Sequence, residues 1–577
     1  MSWIIGASGN VSNELIETIK LSGANPLCQT NDKNLFVMAG GNQETLFTSD
    51  KNSDNNFLAS GIGINYQGEQ TKFLTANDWG QITSNEEIQK LNGHFVLLKW
   101  NSKEVKIFTD SLGLRDVYFA KLPTGAILFS TNVAWIARIT KTKLNFEEFG
   151  SRWLLFNQIS SNSVFKNITR ITAGTKAVIN SLSGEITIFK SEWLPALAKT
   201  NCSVQDFSKT LNNFISLPSY NHQRLSLGLS GGMDSRVILS CLLNNEHTNW
   251  YTHTFGDTNH PDSLIAKKIT SDFGVTHEEI NMPFPEDDSI IKEIGDYASD
   301  TIVNNAASGY LQLRNYNKFV WRNEIIADGG FGEIWRREFF NRLLVTGRKK
   351  LLNKNAKEII PYLALHRANI FNEDIKIEML HGCEEQINNI FMELPDVKEI
   401  GVENWVDLFA IKTRLVNYYS HEQTRLDSLV RCYMPFAQSY LLNNIFNVGI
   451  EQRNNGNMFR NLIRDNYNAL RNYPLVKGQL YHPFWLNTIQ SRIWNIAYKK
   501  LRLKTYRDNS SEKLINFLKT FIIDSINSAS TKDAGIYDCA KLKDLSQSLY
   551  TGRATAMNIR ELDWWLAFEL FRQNISK

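Results

Sequence analysis

The run Leu225-Ser226-Leu227-Gly228-Leu229-Ser230-Gly231-Gly232-Met233-Asp234-Ser235-Arg236-Val237-Ile238-Leu239-Ser240 constrains this chain more than any other stretch. Leu225, Leu227 and Leu229 alternate as in a short buried strand, and Val237-Ile238-Leu239 opens the apolar face of a helix. Where a strand meets a helix through Ser230-Gly231-Gly232, backbone N–H groups and the positive helix end face one space, which suits an anion. Asp234 adds a carboxylate suited to Mg²⁺, an ion that bridges phosphate oxygens. No Lys follows the glycines, so this is not the G-x-x-x-x-G-K-[ST] loop. The same residues also satisfy a plain tight turn in which the glycines serve only a left-handed backbone.

A chain of 577 residues is too long for one core and predicts roughly two to four domains. With 63 Lys and Arg against 59 Asp and Glu, the net charge of +4 does not indicate a nucleic-acid-binding surface. Cys28, Cys202, Cys241, Cys383, Cys432 and Cys539 lie far apart without zinc-type spacing, and are expected to be reduced, buried thiols of a cytoplasmic protein. Met1-Ser2-Trp3-Ile4-Ile5-Gly6 lacks a basic region before an apolar core, so no signal peptide is expected, and no stretch is apolar for long enough to span a membrane.

From Met1 to about Leu194 the chain reads as short strands between turn residues: Leu35–Met38, Gly61–Ile64, Phe95–Trp100, Val105–Phe108 and Ala126–Phe129. Trp100-Asn101-Ser102-Lys103 suggests a hairpin and Asp110–Arg115 a turn, so two sheets would bury each other's inner faces. A helix over Val204–Ile215 leads into alternating strands and helices, the sign of a parallel sheet. Trp250–Gly256 and Gly274–Ile280 are its next strands, with a capped helix from Asp257 to Ile269 between them. Glu324–Trp335 reads as a strand, a glycine loop and a helix, a place for a second phosphate contact. Helical spacing runs from Leu351 to about Ile445, and the tail from Glu512 reads as a pair of helical stretches whose apolar face packs on the C-terminal domain.

Ser230–Ser235 resembles the Ser-Gly-Gly-x-Asp-Ser signature of ATP pyrophosphatases, which cleave ATP between the α and β phosphates. Gly93–Val96, Asp110–Phe119 and Leu128–Thr131 are similar to the glutaminase domain of asparagine synthetases, and Thr252–His277 follows the same family's pattern. Together they identify the chain as resembling the asparagine synthetase and β-lactam synthetase family. The resemblance implies an α/β protein with two domains: residues 1–195, a four-layered α+β N-terminal-nucleophile domain, and residues 200–577, a parallel-sheet ATP-pyrophosphatase domain with a helical C-terminal part.

In the family a Cys exposed by removal of the initiator Met attacks glutamine; this chain has Ser2 there. A free amine can serve as base for its own hydroxyl, so Ser2 is a conceivable nucleophile. The glutamine-gripping segment is not recognisable, and its region reads Asn77-Asp78-Trp79-Gly80-Gln81. The two losses together favour a domain kept for packing.

The resemblance further implies ATP on Leu229, Ser230, Gly231, Gly232, Asp234, Ser235, Phe255 and Gly256, with Mg²⁺ on Asp234. The family's second metal-binding acids fall on Gly329 and Gly332 in this chain. Asp328 and Glu333 replace them with a one-residue shift, Asp328 as metal ligand, or the metal geometry is lost. Arg336 and Arg337 stand where the family often has glycines; they meet an acceptor carboxylate or phosphate, or are exposed helix-surface residues. Lys477, in Tyr473–Pro483, is implied to neutralise the departing pyrophosphate, and Arg460 stands for a family Lys. Altered residues at Glu422-Gln423 and Met434-Pro435-Phe436 hint at a substrate other than aspartate. His253, His260 and His277 are not expected to be catalytic. The implied activity is AMP-forming amide synthesis on a small-molecule or peptide carboxylate, with asparagine or sugar-acid amidation and a non-catalytic ATP-binding protein as alternatives. No nucleic acid and no membrane span are expected, and a homodimer stays open.

Overall fold

The computed structural model describes residues 2–23, 25–32, 34–49, 56–82, 84–191, 193–195, 203–245, 249–285, 287–365, 367–501 and 506–576. Two antiparallel sheets form the N-terminal part. One runs Thr169–Ile171, Val117–Lys121, Ile127–Ser130, Trp3–Ser8, Leu35–Gly40, Pro26–Asp32. The other runs Ile186–Lys190, Thr175–Asn180, Glu104–Thr109, Asn92–Trp100, Asn56–Asn65, Leu46–Thr48, with Lys72–Phe73 beside Asn56–Asn65.

Period-two alternation decides what each strand buries on either face. Ile4 and Val37 point between the sheets with Leu58, Val96, Val117 and Phe129. Their chain neighbours Trp3, Ile5, Phe36 and Met38 face the other way, onto Ile16 and Ile19 of the helix Asn13–Lys20 and onto Ile136. The second sheet turns Phe57, Phe95 and Leu97 outward onto Trp79 and Ile88 of the helices Ala76–Gln81 and Asn85–Gln89. The result is four layers, helix–sheet–sheet–helix, as expected from the resemblance.

The C-terminal part is built on a parallel sheet in the order His277–Ile280, Trp250–Phe255, Leu225–Gly228, Ile325–Ala327, Arg431–Tyr433. The sequence reading missed the last strand, because three residues are too few to show a period. Strand order reverses between Leu225–Gly228 and Ile325–Ala327, which pair in parallel from Leu225↔Ile325 to Leu227↔Ala327. In open α/β sheets, ligands bind outside the carboxyl ends of strands at such a switch point.

The cores do not divide at the expected boundary, whose residues 196–202 lie outside those described. One cluster joins Ile62, Leu112 and Leu114 to Leu225, Val237 and Trp335. The tail holds five helices rather than two, from Ser510–Phe517 to Ala556–Ser576. Its last helix meets both halves of the chain: the Phe568 ring packs tilted against Phe149 and edge-on against Trp153, while Leu562 and Leu566 share a cluster with Ile290 and Ile294. Among the described thiols Cys241, Cys383 and Cys432 are buried as expected, whereas Cys28 is half-buried and Cys539 exposed. No helix among the described residues is long and apolar enough to cross a membrane.

A buried acid also couples the halves. Asn132 Nδ2 donates to Asp300 Oδ1 at 2.8 Å, and burial, with Asp296 nearby, pushes the Asp300 carboxyl up to about 7. An acid whose folded pKa is raised takes up a proton on folding, so its contribution to stability falls as pH rises from about 4 to about 7. Asp300→Asn is expected to melt above the parent at about pH 8 and to approach it only at about pH 4 and below. Calorimetry at both values checks this, and equal melting at the higher pH would refute it.

Candidate active site at the sheet switch point

The loop Ser230–Gly232 joins the strand Leu225–Gly228 to the helix Met233–Asn244, whose first turn no side chain caps. Ser230 N donates to Ser235 Oγ at 3.1 Å, Gly231 N to Asp262 Oδ1 at 2.7 Å and Gly232 N to Ser230 Oγ at 3.1 Å. Neither Gly231 nor Gly232 has a positive φ, so the left-handed turn reading is wrong. Crowding explains Gly231 instead: a Cβ there would lie 2.3 Å from Val476 Cγ2. Val476 belongs to the hairpin Leu475–Lys477 and Leu480–His482, and its N–H donates to Gly231 O at 2.9 Å. Buried Arg236 donates to Tyr473 O and Pro474 O at 2.8 Å each, fixing the hairpin that carries Lys477. Gly231→Ala should therefore part hairpin from loop and lower affinity for nucleotide, measured by titration calorimetry; unchanged affinity would refute this account.

The second loop follows the strand Ile325–Ala327. Asp328 Oδ1 accepts from Gly330 N at 2.6 Å; burial raises its carboxyl, and Glu333 and Glu422 add to the rise. The short helix Gly332–Arg336 lies between two left-handed non-glycine residues, Phe331 at φ 65° and Arg337 at φ 54°. Such backbone costs about 1–3 kcal/mol per residue and persists where its surroundings impose it. Glu333 accepts from Tyr419 Oη at 3.2 and 3.3 Å and lies 3.9 Å from Arg414.

The two arginines are not the exposed residues that the plainer sequence reading expected. Arg336 Nε and Nη2 donate to Asp234 Oδ1 and Oδ2 at 2.6 and 2.7 Å, and its Nη1 lies 2.7 Å from Glu338 Oε2. Lys477 Nζ donates to the same Glu338 oxygen at 2.8 Å. Burial opposes it, but Arg336 and Lys477 hold the Glu338 carboxyl down to about 2. Burial raises the Asp234 carboxyl against the pull of Arg336. Arg337 is buried and donates to Asp407. Nothing in local spacing marked Glu338 or this pairing.

A cleft of about 750 Å³ opens at the strand ends, and Leu229, Ser230, Asp234, Ser235, Phe255 and Gly256 all line it, with Asp328 and Glu333. Gly231, Gly232 and Lys477 do not line it; Gly231 faces the hairpin, and Lys477 reaches the site through Glu338. A cavity of about 370 Å³ adjoins the cleft and shares Tyr316, Asp328, Gly330, Glu333 and Tyr419 with it. Its wall includes Arg414 and Tyr418 from the π-helical turns Ile411–Tyr419, a rare helix type that is frequent at functional sites. His253, held by Ser226 Oγ at 2.7 Å and brought down to about 3 by burial, is buried at the floor of the same cleft.

Ser2 is fully buried. Its N–H donates to Asp427 O at 3.4 Å, and its Oγ accepts from Ser60 Oγ at 3.0 Å. Arg115 donates to Ser2 O at 2.8 Å and pairs with Asp427, whose other oxygen lies 2.8 Å from His94 Nε2. The sequence reading covered His94 and Arg115 only as parts of motifs; what joins them to Asp427 is contact across 333 positions for His94 and 312 for Arg115. Asn77–Gln81 cap and pack: Thr75 and Asp78 make a capping box, and Trp79 is core.

Residues 220–317 match the asparagine synthase family model. No curated protein sequence matches the chain. One similar solved structure is titled as the allosteric regulatory enzyme of purine biosynthesis: 11% identity, 40% of this chain and 54% of that chain covered, TM-score 0.20. Another is a glutamine phosphoribosylpyrophosphate amidotransferase from B. subtilis complexed with ADP and GMP: 10% identity, 48% and 90% covered, TM-score 0.21. This chain thus spans about half the length of the first. The family match takes in the glycine loop, the strands beside it and the nearer wall of the cleft. Asparagine synthases are ATP-dependent ligases, and it is their family model that residues 220–317, with the Ser230–Ser235 loop inside them, resemble.

Proposed function

We propose that the chain is an ATP-dependent carbon–nitrogen ligase of the cytoplasm that activates a small-molecule or peptide carboxylate as an acyl-adenylate and passes it to an amine, releasing AMP and pyrophosphate. The observation that carries this reading is the shared wall between the two cavities. A nucleotide with its adenine beside Phe255 and Gly256 and its phosphates at Ser230–Ser235 would present its α phosphate toward Asp328 and Glu333, where the smaller cavity begins. A carboxylate held in that cavity meets the phosphate there, and the product stays enclosed for attack by the amine. The open helix end, Arg336 and Lys477 supply positive charge where pyrophosphate departs.

The amine is free ammonia or a group already on the substrate. Ser2, with its N–H and Oγ both engaged and no exposed surface, leaves no room for glutamine. Purified protein is expected to release no glutamate from glutamine. ATP is the cofactor this reading requires. The Mg²⁺ expected with it does not fit Asp234 and Asp328 as they stand, since Arg336 holds both oxygens of Asp234 and Asp328 is turned to Gly330. Nor do the described residues include a group of three or more His, Cys, Asp or Glu able to hold a metal.

The test is exchange of labelled pyrophosphate into ATP across a panel of carboxylates, with aspartate and sugar acids included. Exchange that depends on one carboxylate supports adenylation and identifies the substrate class. The Arg336–Asp234 pair favours a second reading, a non-catalytic ATP-binding protein. Tight ATP binding with no exchange on any carboxylate would favour that one.

A further inference from the structure

Four ionic groups form one chain along the edge of the cleft: Asp234, Arg336, Glu338 and Lys477. At its cleft end stands Asp234 with both oxygens on the Arg336 guanidinium, not a pair of carboxylates. A second acid has no room beside Asp234, because a Cβ on Gly332 would come 2.5 Å from Asp234 Cγ. The next acid along, Asp328, spends an oxygen on Gly330 N of its own loop. Arg336 is 14% exposed and lies against Asp234, which lines the cleft. Its planar fork accepts a phosphate in the same two-point geometry as a carboxylate, and a triphosphate carries more charge than Asp234. Phosphate oxygens entering the cleft can take the Asp234 place on the guanidinium, while Glu338 keeps Arg336 tied to Lys477.

We propose that Arg336 is the polyphosphate-binding cation of this site and that Asp234 is its resting counter-ion rather than a metal ligand. The proposal rests on the nucleotide reading above and reverses the sign of one substitution. If Asp234 competes with phosphate for Arg336, removing its charge strengthens binding; if Asp234 holds a metal for the nucleotide, removing it weakens binding.

Titration calorimetry on the full chain, with ATP and with inorganic tripolyphosphate, in EDTA and in Mg²⁺, tests this. The parent should bind ATP in EDTA within about threefold of its affinity in Mg²⁺, and Asp234→Asn should bind about five- to tenfold tighter in EDTA. Arg336→Gln should lose about tenfold or more, and Arg336→Lys less, since Lys is a point charge without the fork. Should Arg336→Gln not fold, Asp234→Asn decides alone, because it leaves the Glu338 pairs in place. Binding that requires Mg²⁺ and disappears in Asp234→Asn overturns the proposal and spares the nucleotide reading. Tripolyphosphate bound through Arg336 without any ATP binding sinks the nucleotide reading and spares the proposal. Failure of both probes in both buffers overturns both.

Discussion

Lys477→Ala should slow carboxylate-dependent pyrophosphate exchange by about 10²–10³-fold, the usual cost of removing one preorganised charge from a developing anion. The side chain is set up for this by contacts that do not involve it. Val476 N bonds Gly231 O at 2.9 Å, and Arg236 holds the two residues before the hairpin, so the lysine is carried to the phosphate loop by backbone. Its own bond to Glu338 is a half-exposed ion pair worth about 0–1 kcal/mol, and Glu338 keeps Arg336 when the lysine is gone. Melting temperature should therefore barely move while exchange collapses. Exchange within threefold of the parent would remove Lys477 from the reaction.

Asp427→Ala should destabilise the chain by about 3–5 kcal/mol, as expected when one partner of a buried ion pair is deleted and the other is left in place. Asp427 and Arg115 are both 0% exposed at their side chains, and His94 depends on the other Asp427 oxygen. Truncation leaves the buried Arg115 guanidinium without its counter-ion, held only by neutral acceptors such as Ser2 O, and the His94 imidazole without its carboxylate. Asp427→Asn keeps one acceptor oxygen and should lose less. Urea unfolding of the two variants gives the order, and an alanine variant within about 1 kcal/mol of the parent would mean the network carries no stability.

Much of the architecture was legible because it is periodic. The runs Leu35–Met38, Phe95–Trp100 and Val105–Phe108 were read as strands and are strands, whereas Trp3–Ser8 was not read as one, and which face of each continuously apolar run meets which layer came from the tertiary structure. The glycine loop was legible from its flanks, and the plainer alternative fails there, since Gly231 answers to the crowding of Val476 and not to a left-handed torsion. The tail was read as two helices where there are five, yet two of the breaks were written in capping residues, Ser528 before Thr531 and Asp538 before Lys541. The edge strand Arg431–Tyr433 carries no such mark; only its pairing with Ile325–Ala327 makes it a strand.

The site divides along the same line. Spacing along the chain was enough to gather Leu229, Ser230, Asp234, Ser235, Phe255 and Gly256 around one cleft, because strand ends in a parallel sheet bring consecutive loops together. It said nothing of which charges those residues would meet. Asp234 finds Arg336 at a separation of 102 positions, and His94 finds Asp427 at 333. Periodicity and capping are short-range signals, settled within a turn of helix or a pair of residues in a strand. The partner of a buried charge is chosen by whichever distant side chain the assembled layers deliver within about 3 Å, and no local pattern carries that choice.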